Sequence, residues 1–160
     1  GFDAGDYYCD ATYANLAEAV INNLQEVGIR AKLRPLERAA FFSGYGEKKL
    51  KNIIQGSSGA FGNAATRLEA FAVKGGAYVY GSYPEIETLF AQQAAELDTA
   101  KRTAQLQDIQ KFLHERSVYA PIWQLAFLNG QGKRVGQSAL GLIRGHAYSA
   151  PYEDVTIKQT

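Results

Sequence analysis

Apolar residues recur at Ala17, Val20, Ile21, Leu24 and Val27 within Asn15–Val27. That three-and-four spacing predicts one buried face of a helix. Gly28 follows at the place where a left-handed residue commonly closes a helix. Ile29–Arg34 then alternates strictly, with Ile29, Ala31 and Leu33 against Arg30, Lys32 and Arg34. Period two with one basic face predicts a strand that is dry on one side and wet on the other. Gly5–Cys9, rich in aromatics, is a candidate strand before the helix. Strand, helix and strand in so short a span predict a βαβ unit with parallel strands and a right-handed crossover.

Pro35 is expected to end the second strand. Glu37–Tyr45 predicts a short helix closed by Gly44 and Gly46, and Asn52–Gln55 a third strand. Gly56–Gly62 (Gly-Ser-Ser-Gly-Ala-Phe-Gly) has the composition of a loop. Ala64–Phe71 predicts another short helix. Ser82 and Glu85 are spaced as a capping box, and Pro84 suits a first turn. The helix that follows would bury Ile86, Leu89, Phe90, Ala94 and Leu97. Asp98 can cap a further helix from Thr99 to about Arg116, with Leu106, Ile109 and Leu113 inward. Two helices so joined make a helical hairpin. Ala120–Leu128 reads as a buried strand, and a last strand is expected near Asp154–Lys158. The class is α/β, in one domain over 1–160.

Composition narrows the function. The chain has 160 residues, 46% hydrophobic and 21% charged, with a net charge of +1. Such values describe an ordinary globular domain and argue against a general nucleic-acid binder. The longest nearly apolar run, Tyr119–Leu128, is half the ~20 residues of a spanning helix. A single cysteine, Cys9, allows no internal disulfide. No secretory signal opens the chain, which starts at Gly1 and contains no Met. A processed product or a piece of a longer protein is therefore expected.

The chemical motifs are weak. Gly132-Lys133 is followed by Arg134 rather than Ser or Thr, so no phosphate loop is expected. Gly56-Ser57-Ser58-Gly59 misses the nucleophile-elbow spacing by one residue. A hydrolase using Ser58 or Cys9 would draw on His114 or His146 as base, neither at a recognisable spacing. Cys9, His114 and His146 are too few for a structural zinc site. Asp3, Asp6 and Asp10 lack the spacing of a calcium loop and read as solvated charges. No metal and no cofactor is expected. Arg30, Lys32, Arg34 and Arg38, with Lys48, Lys49 and Lys51, make a cationic stripe. It is either a protein-interaction face for an acidic partner or a solvated strand face. Tyr7, Tyr8, Phe61, Tyr78, Tyr80, Trp123 and Tyr148 fall mostly at strand ends or in loops, where they wall a small-molecule cleft or fill the core.

The order of segments carries a resemblance. Leu16–Leu33, Tyr83–Phe90, Leu97–Arg102, Asp108–Glu115, Ala120–Trp123 and Pro151–Val155 together resemble the C-terminal lobe of extracytoplasmic solute-binding proteins that feed ABC importers. The group is the one for dipeptides, oligopeptides and nickel (family 5). The resemblance covers nearly the whole chain. It implies one lobe of a two-lobed periplasmic-binding-protein fold (type II), a mixed sheet flanked by helices. It also implies ligand binding without catalysis, a periplasmic or extracytoplasmic place, and three partners: a small-molecule solute, the N-terminal lobe of the parent protein and a transporter permease. An isolated lobe would expose its jaw and could self-associate. In this family the loop after the strand matching Asn52–Gln55 reaches the ligand. Peptide binders there carry a tryptophan and then an aspartate for the peptide ammonium, and both are absent here. Ser57, Ser58, Phe61, Asn63, Arg67 and Trp123 are accordingly the expected ligand-facing residues. Asn63 and Arg67 suit an anionic or hydroxyl-rich solute better than a peptide amino terminus. Trp123 could instead pack beneath the hairpin.

Overall fold

The computed structural model describes residues 1–59, 62–126, 128–143, 146 and 148–158. Strand β1 (Phe2–Asp10) leads into helix α1 (Ala14–Glu26), which returns as β2 (Ile29–Leu36). Helix α2 (Arg38–Gly46) and β3 (Ile53–Gln55) follow. The three strands form a parallel sheet in the order β2-β1-β3. The expected βαβ unit is present, with Phe2 opposite Ile29 and Tyr7 opposite Leu33. Gly28 closes α1 with φ +82°, and its carbonyl accepts from the Phe2 N–H at 2.8 Å. Gly5, at φ +76°, takes up the register shift between Asp3 and Asp6 as a bulge.

Alternation along β1 sorts the core onto two faces. Tyr7 and Cys9 pack with Ala17 and Ile21 of α1. Tyr8 points the other way, into a cluster of Phe41, Tyr45 and Leu50 that also takes in Ile54, Phe71 and Tyr78. A parallel sheet covered on both faces results. Three of the seven aromatics expected at a cleft or in the core are core: Tyr7 is buried, while Tyr8 and Tyr78 pack against Phe41 and its neighbours; Tyr80, Trp123 and Tyr148 are exposed.

Helix α3 (Ala64–Ala72) precedes the hairpin of α4 (Pro84–Ala95) and α5 (Thr99–Glu115). Ala72, Ile86 and Ile109 make the third core cluster, joined by Leu68, Leu89, Phe90 and Leu113. The Asp98 carboxylate caps α5, accepting from the Lys101 N–H at 2.8 Å.

Several expectations shift. Pro35 does not end β2, which runs on to Leu36. As an edge strand, β2 needs no donor on its outer side, so proline is tolerated. Tyr83 rather than Ser82 is the N-cap of α4, without a side-chain bond; Pro84 holds the first turn. Ala94 and Leu97 are exposed, Leu97 by 97%, whereas Gln93 is buried. The helix ends at Ala95, so the apolar period has no helical surface left to continue on. Val27 likewise lies past the end of α1 and is exposed.

Residues 120–126 and 128 form no strand, and Ile122, Trp123, Leu125 and Leu128 are exposed. An apolar run needs a ladder neighbour to become a strand, and the run pairs with none of the three strands. The last expected strand is reduced to a short antiparallel ribbon. Val135 bridges Ile157, and the Lys158 N–H donates to the Arg134 carbonyl at 2.9 Å. No helix among the described residues is long and apolar enough to cross a membrane.

Candidate functional site

From β1 the chain moves outward to β2 on one side, and β3 joins on the other. The carboxyl ends of β1 and β3 therefore meet at a switch point, where open α/β sheets place ligands. Asp10 ends β1 there and is buried. Its carboxylate accepts from the Thr12 N–H at 3.0 Å and from the Arg38 guanidinium at 2.8 Å. The Thr12 hydrogen bond first, and the Arg38 charge after it, hold the Asp10 carboxyl below its ordinary value against the opposing effect of burial. The three aspartates are thus not simply solvated. Asp6 meets Arg34 at 2.8 Å, and Asp3 accepts from the Gly5 N–H at 2.9 Å. These contacts also occupy Arg34 and Arg38 of the basic stripe, while Lys49 pairs with Glu47. Lys48 donates to the Gly76 and Ala77 carbonyls.

Asp10 gives an acid-limb prediction. A carboxyl with a lowered folded value stabilises the protein above its unfolded value of about 3.9 and loses that effect as pH falls through the folded value. Asp10→Asn is expected to cost about 1–3 kcal/mol at pH 7. The gap from wild type should close as pH drops below about 4. Urea midpoints between neutral and acid pH measure it, and a gap independent of pH would contradict it.

A concavity lies between α3 and α5. Ala64, Arg67, Leu68 and Phe71 stand at i, i+3, i+4 and i+7 on α3, and Gln110 and Leu113 face them from α5. With Ser58 and Tyr119 they enclose an open cleft of about 260 Å³. Leu68 and Leu113 also belong to the third core cluster, so the floor is a packed surface. Arg67 Nε donates to the Gly59 carbonyl at 2.6 Å and holds the loop after β3 against α3. The Tyr119 hydroxyl donates to the Phe71 carbonyl. Burial pushes the Tyr119 phenol up.

Of the expected ligand-facing residues, Ser58 and Arg67 line this cleft. Ser57 is exposed beside it in sequence but is not part of the wall. Asn63 is the N-cap of α3, its amide oxygen accepting from the Ala65 N–H at 3.0 Å. Phe61 lies outside the described residues. Trp123 is half-exposed and is not one of the residues that line this concavity. Sequence reasoning missed Leu68, Phe71, Gln110, Leu113 and Tyr119. The helical stripes were readable, but their juxtaposition depends on how the hairpin docks.

The hydrolase alternative finds little support in this geometry. Cys9 is fully buried and burial pushes its thiol up, away from the reactive thiolate. Among the described residues no hydrogen bond joins Ser58 to a histidine. Nor does any group of three His, Cys, Asp or Glu among them have the geometry to hold a metal ion.

No family model and no curated protein matches the chain. Two solved structures are similar to it. One is a periplasmic murein tripeptide binding protein in its unliganded open form, with a TM-score of 0.59 and 16% identity over 72% of this chain. The other is a nickel ABC transporter structure from Bacillus halodurans, with a TM-score of 0.60 and 18% identity over 72% of this chain. The match spans 23% of the first protein and 25% of the second, about a quarter of each. In fold, the chain is thus similar to a periplasmic-binding-protein lobe.

Proposed function

We propose that this chain is the C-terminal ligand-binding lobe of an extracytoplasmic solute-binding protein that delivers its cargo to an ABC importer. It contributes one wall of a cleft, and an N-terminal lobe closes over the other side. It performs no catalysis. Half-exposed Ile122, Trp123 and Leu125 fit a surface that such a second lobe covers. The cleft between α3 and α5 carries the reading on ligand class. Among the described residues its wall holds a guanidinium and no acid, which favours a small polar or anionic solute. A murein tripeptide and nickel are named for the two similar structures. A peptide held by its ammonium, or a bare nickel ion, would want a carboxylate, and none of the described residues of this wall supplies one.

The test starts from natively purified protein, gently unfolded, with released small molecules identified by mass spectrometry. Arg67→Ala combined with Trp123→Ala is then expected to weaken binding of the released compound at least tenfold, about 1.4 kcal/mol. Unchanged affinity in the double variant would overturn the reading of this face as ligand-facing. Turnover of esters abolished by Ser58→Ala would replace it with the hydrolase alternative.

A further inference from the structure

Four polar side chains stand in the wall of the cleft between α3 and α5, and three of them already serve the backbone. Arg67 Nε donates to the Gly59 carbonyl, and the side chain has a further interaction besides. The Tyr119 hydroxyl donates to the Phe71 carbonyl. Gln110 turns its amide back along α5 and donates to the Leu106 carbonyl at 3.2 Å. Ser58, exposed, is the fourth. What the wall offers an occupant is therefore mostly carbon: Ala64, Leu68, Phe71, Leu113 and the Tyr119 ring. Water against such a surface finds few partners, so an apolar group displaces it favourably.

These walls are also held in place. Leu68 and Leu113 belong to the core of the hairpin. Phe71 is backed by Tyr78, with ring centroids 4.9 Å apart. The Tyr119 bond ties the segment after α5 to α3. A preformed recess binds without the ordering cost of a mobile one. Its volume, about 260 Å³, exceeds the about 150 Å³ of an apolar cavity that takes up benzene and falls short of twice that. One ring fits, and two do not.

We infer that this cleft receives a single ring-sized apolar group of the solute, whose polar or anionic part stays outside it. The inference rests on the binding-lobe reading and names the group that this cleft selects. Three signatures follow from the chemistry. Half-burying a ring gains about tenfold in affinity. A second ring finds no wall and adds little. Charge on the ligand matters only at a distance: the Arg67 cation repels an ammonium, yet its bond to Gly59 leaves an anion little direct contact to gain.

The experiment titrates the 160-residue chain with methanol, benzyl alcohol, 2-naphthylmethanol, benzoate and benzylammonium, followed by methyl and backbone-amide NMR. Benzyl alcohol is expected to bind about tenfold or more tighter than methanol. Its shifts should concentrate on the methyl groups of Ala64, Leu68 and Leu113. The second ring of 2-naphthylmethanol should gain less than about threefold. Benzoate should stay within about fivefold of benzyl alcohol, and benzylammonium should be the weakest of the three single-ring compounds. Ala64→Leu fills the cleft from the first turn of α3 and should weaken benzyl alcohol by about fivefold or more. The shift map of the unaltered chain remains decisive should that variant fail to fold. Methanol binding as well as benzyl alcohol, a benzoate advantage beyond fivefold, or shifts away from the cleft would overturn the inference. A solute without an apolar group, released from the native protein, would also overturn it, yet leave the binding-lobe reading intact. Loss of that reading is registered separately, by the Arg67 and Trp123 double variant.

Discussion

Phe41→Ala is expected to lower the unfolding free energy by about 3–5 kcal/mol. Phe41 is 1% exposed and sits where α2 packs on the sheet. Its ring meets Phe42 edge-on at 5.3 Å and Tyr45 at 5.8 Å. Tyr45 in turn lies 4.9 Å from Tyr78, and Tyr78 lies 4.9 Å from Phe71. Phe71 is part of the cleft wall, so the aromatic chain couples the sheet to the site. Truncation removes the transfer free energy of the ring and leaves a cavity that rigid neighbours cannot close. Against a total stability of about 5–15 kcal/mol, that loss is large. Urea unfolding measures it; a loss below about 1 kcal/mol would show that the cluster collapses around the gap.

The same variant has a spectroscopic readout. Burial, with the neighbouring phenols Tyr119, Tyr80 and Tyr78 adding to it, pushes Tyr45 up to about 12. A raised folded value favours the neutral phenol. Stability from this group is present below the unfolded value near 10 and declines as pH rises through the folded value. Opening a cavity beside Tyr45 admits water, so its titration in Phe41→Ala should fall back toward 10. Absorbance of the phenolate follows it directly.

Local periodicity made the first half of the fold legible. Strict alternation in Ile29–Arg34 and the helical stripe from Ala17 to Leu24 each survive in β2 and α1 because the partner surface lies next in sequence. The Asp98 cap was readable for the same reason, since acceptor and donor lie three residues apart. Ala120–Leu128 was misread because an apolar run states a need for burial without naming what covers it. Asp10 was misread too. Its role depends on Arg38, twenty-eight residues on, and on the parallel register that brings them together. Two of the residues expected near the loop after β3, Ser58 and Arg67, line the candidate cleft. Gln110 and Tyr119 were not expected there, because a groove between two helices exists only once the hairpin has docked.

That docking rests on Ile86 and Ile109, both fully buried where α4 meets α5. Ile86→Ala and Ile109→Ala are each expected to cost about 2–5 kcal/mol. Leu97→Ala, on the apolar face expected from sequence but 97% exposed, should change stability by no more than about 0.5 kcal/mol. The two isoleucines share one cluster, so removing the first loosens the packing of the second. Their double variant should therefore lose less than the sum, with a coupling of about 0.5–3 kcal/mol. Two such losses approach the whole stability of a domain, so the cycle is best run with valine, at about 0.5–1.5 kcal/mol each. Strict additivity would mean that the helices do not share a core there. Leu113 lies one turn beyond Ile109 and forms the cleft floor with Leu68. Ile109→Val should hence shift the methyl resonances of both leucines, whereas Leu97→Ala should not.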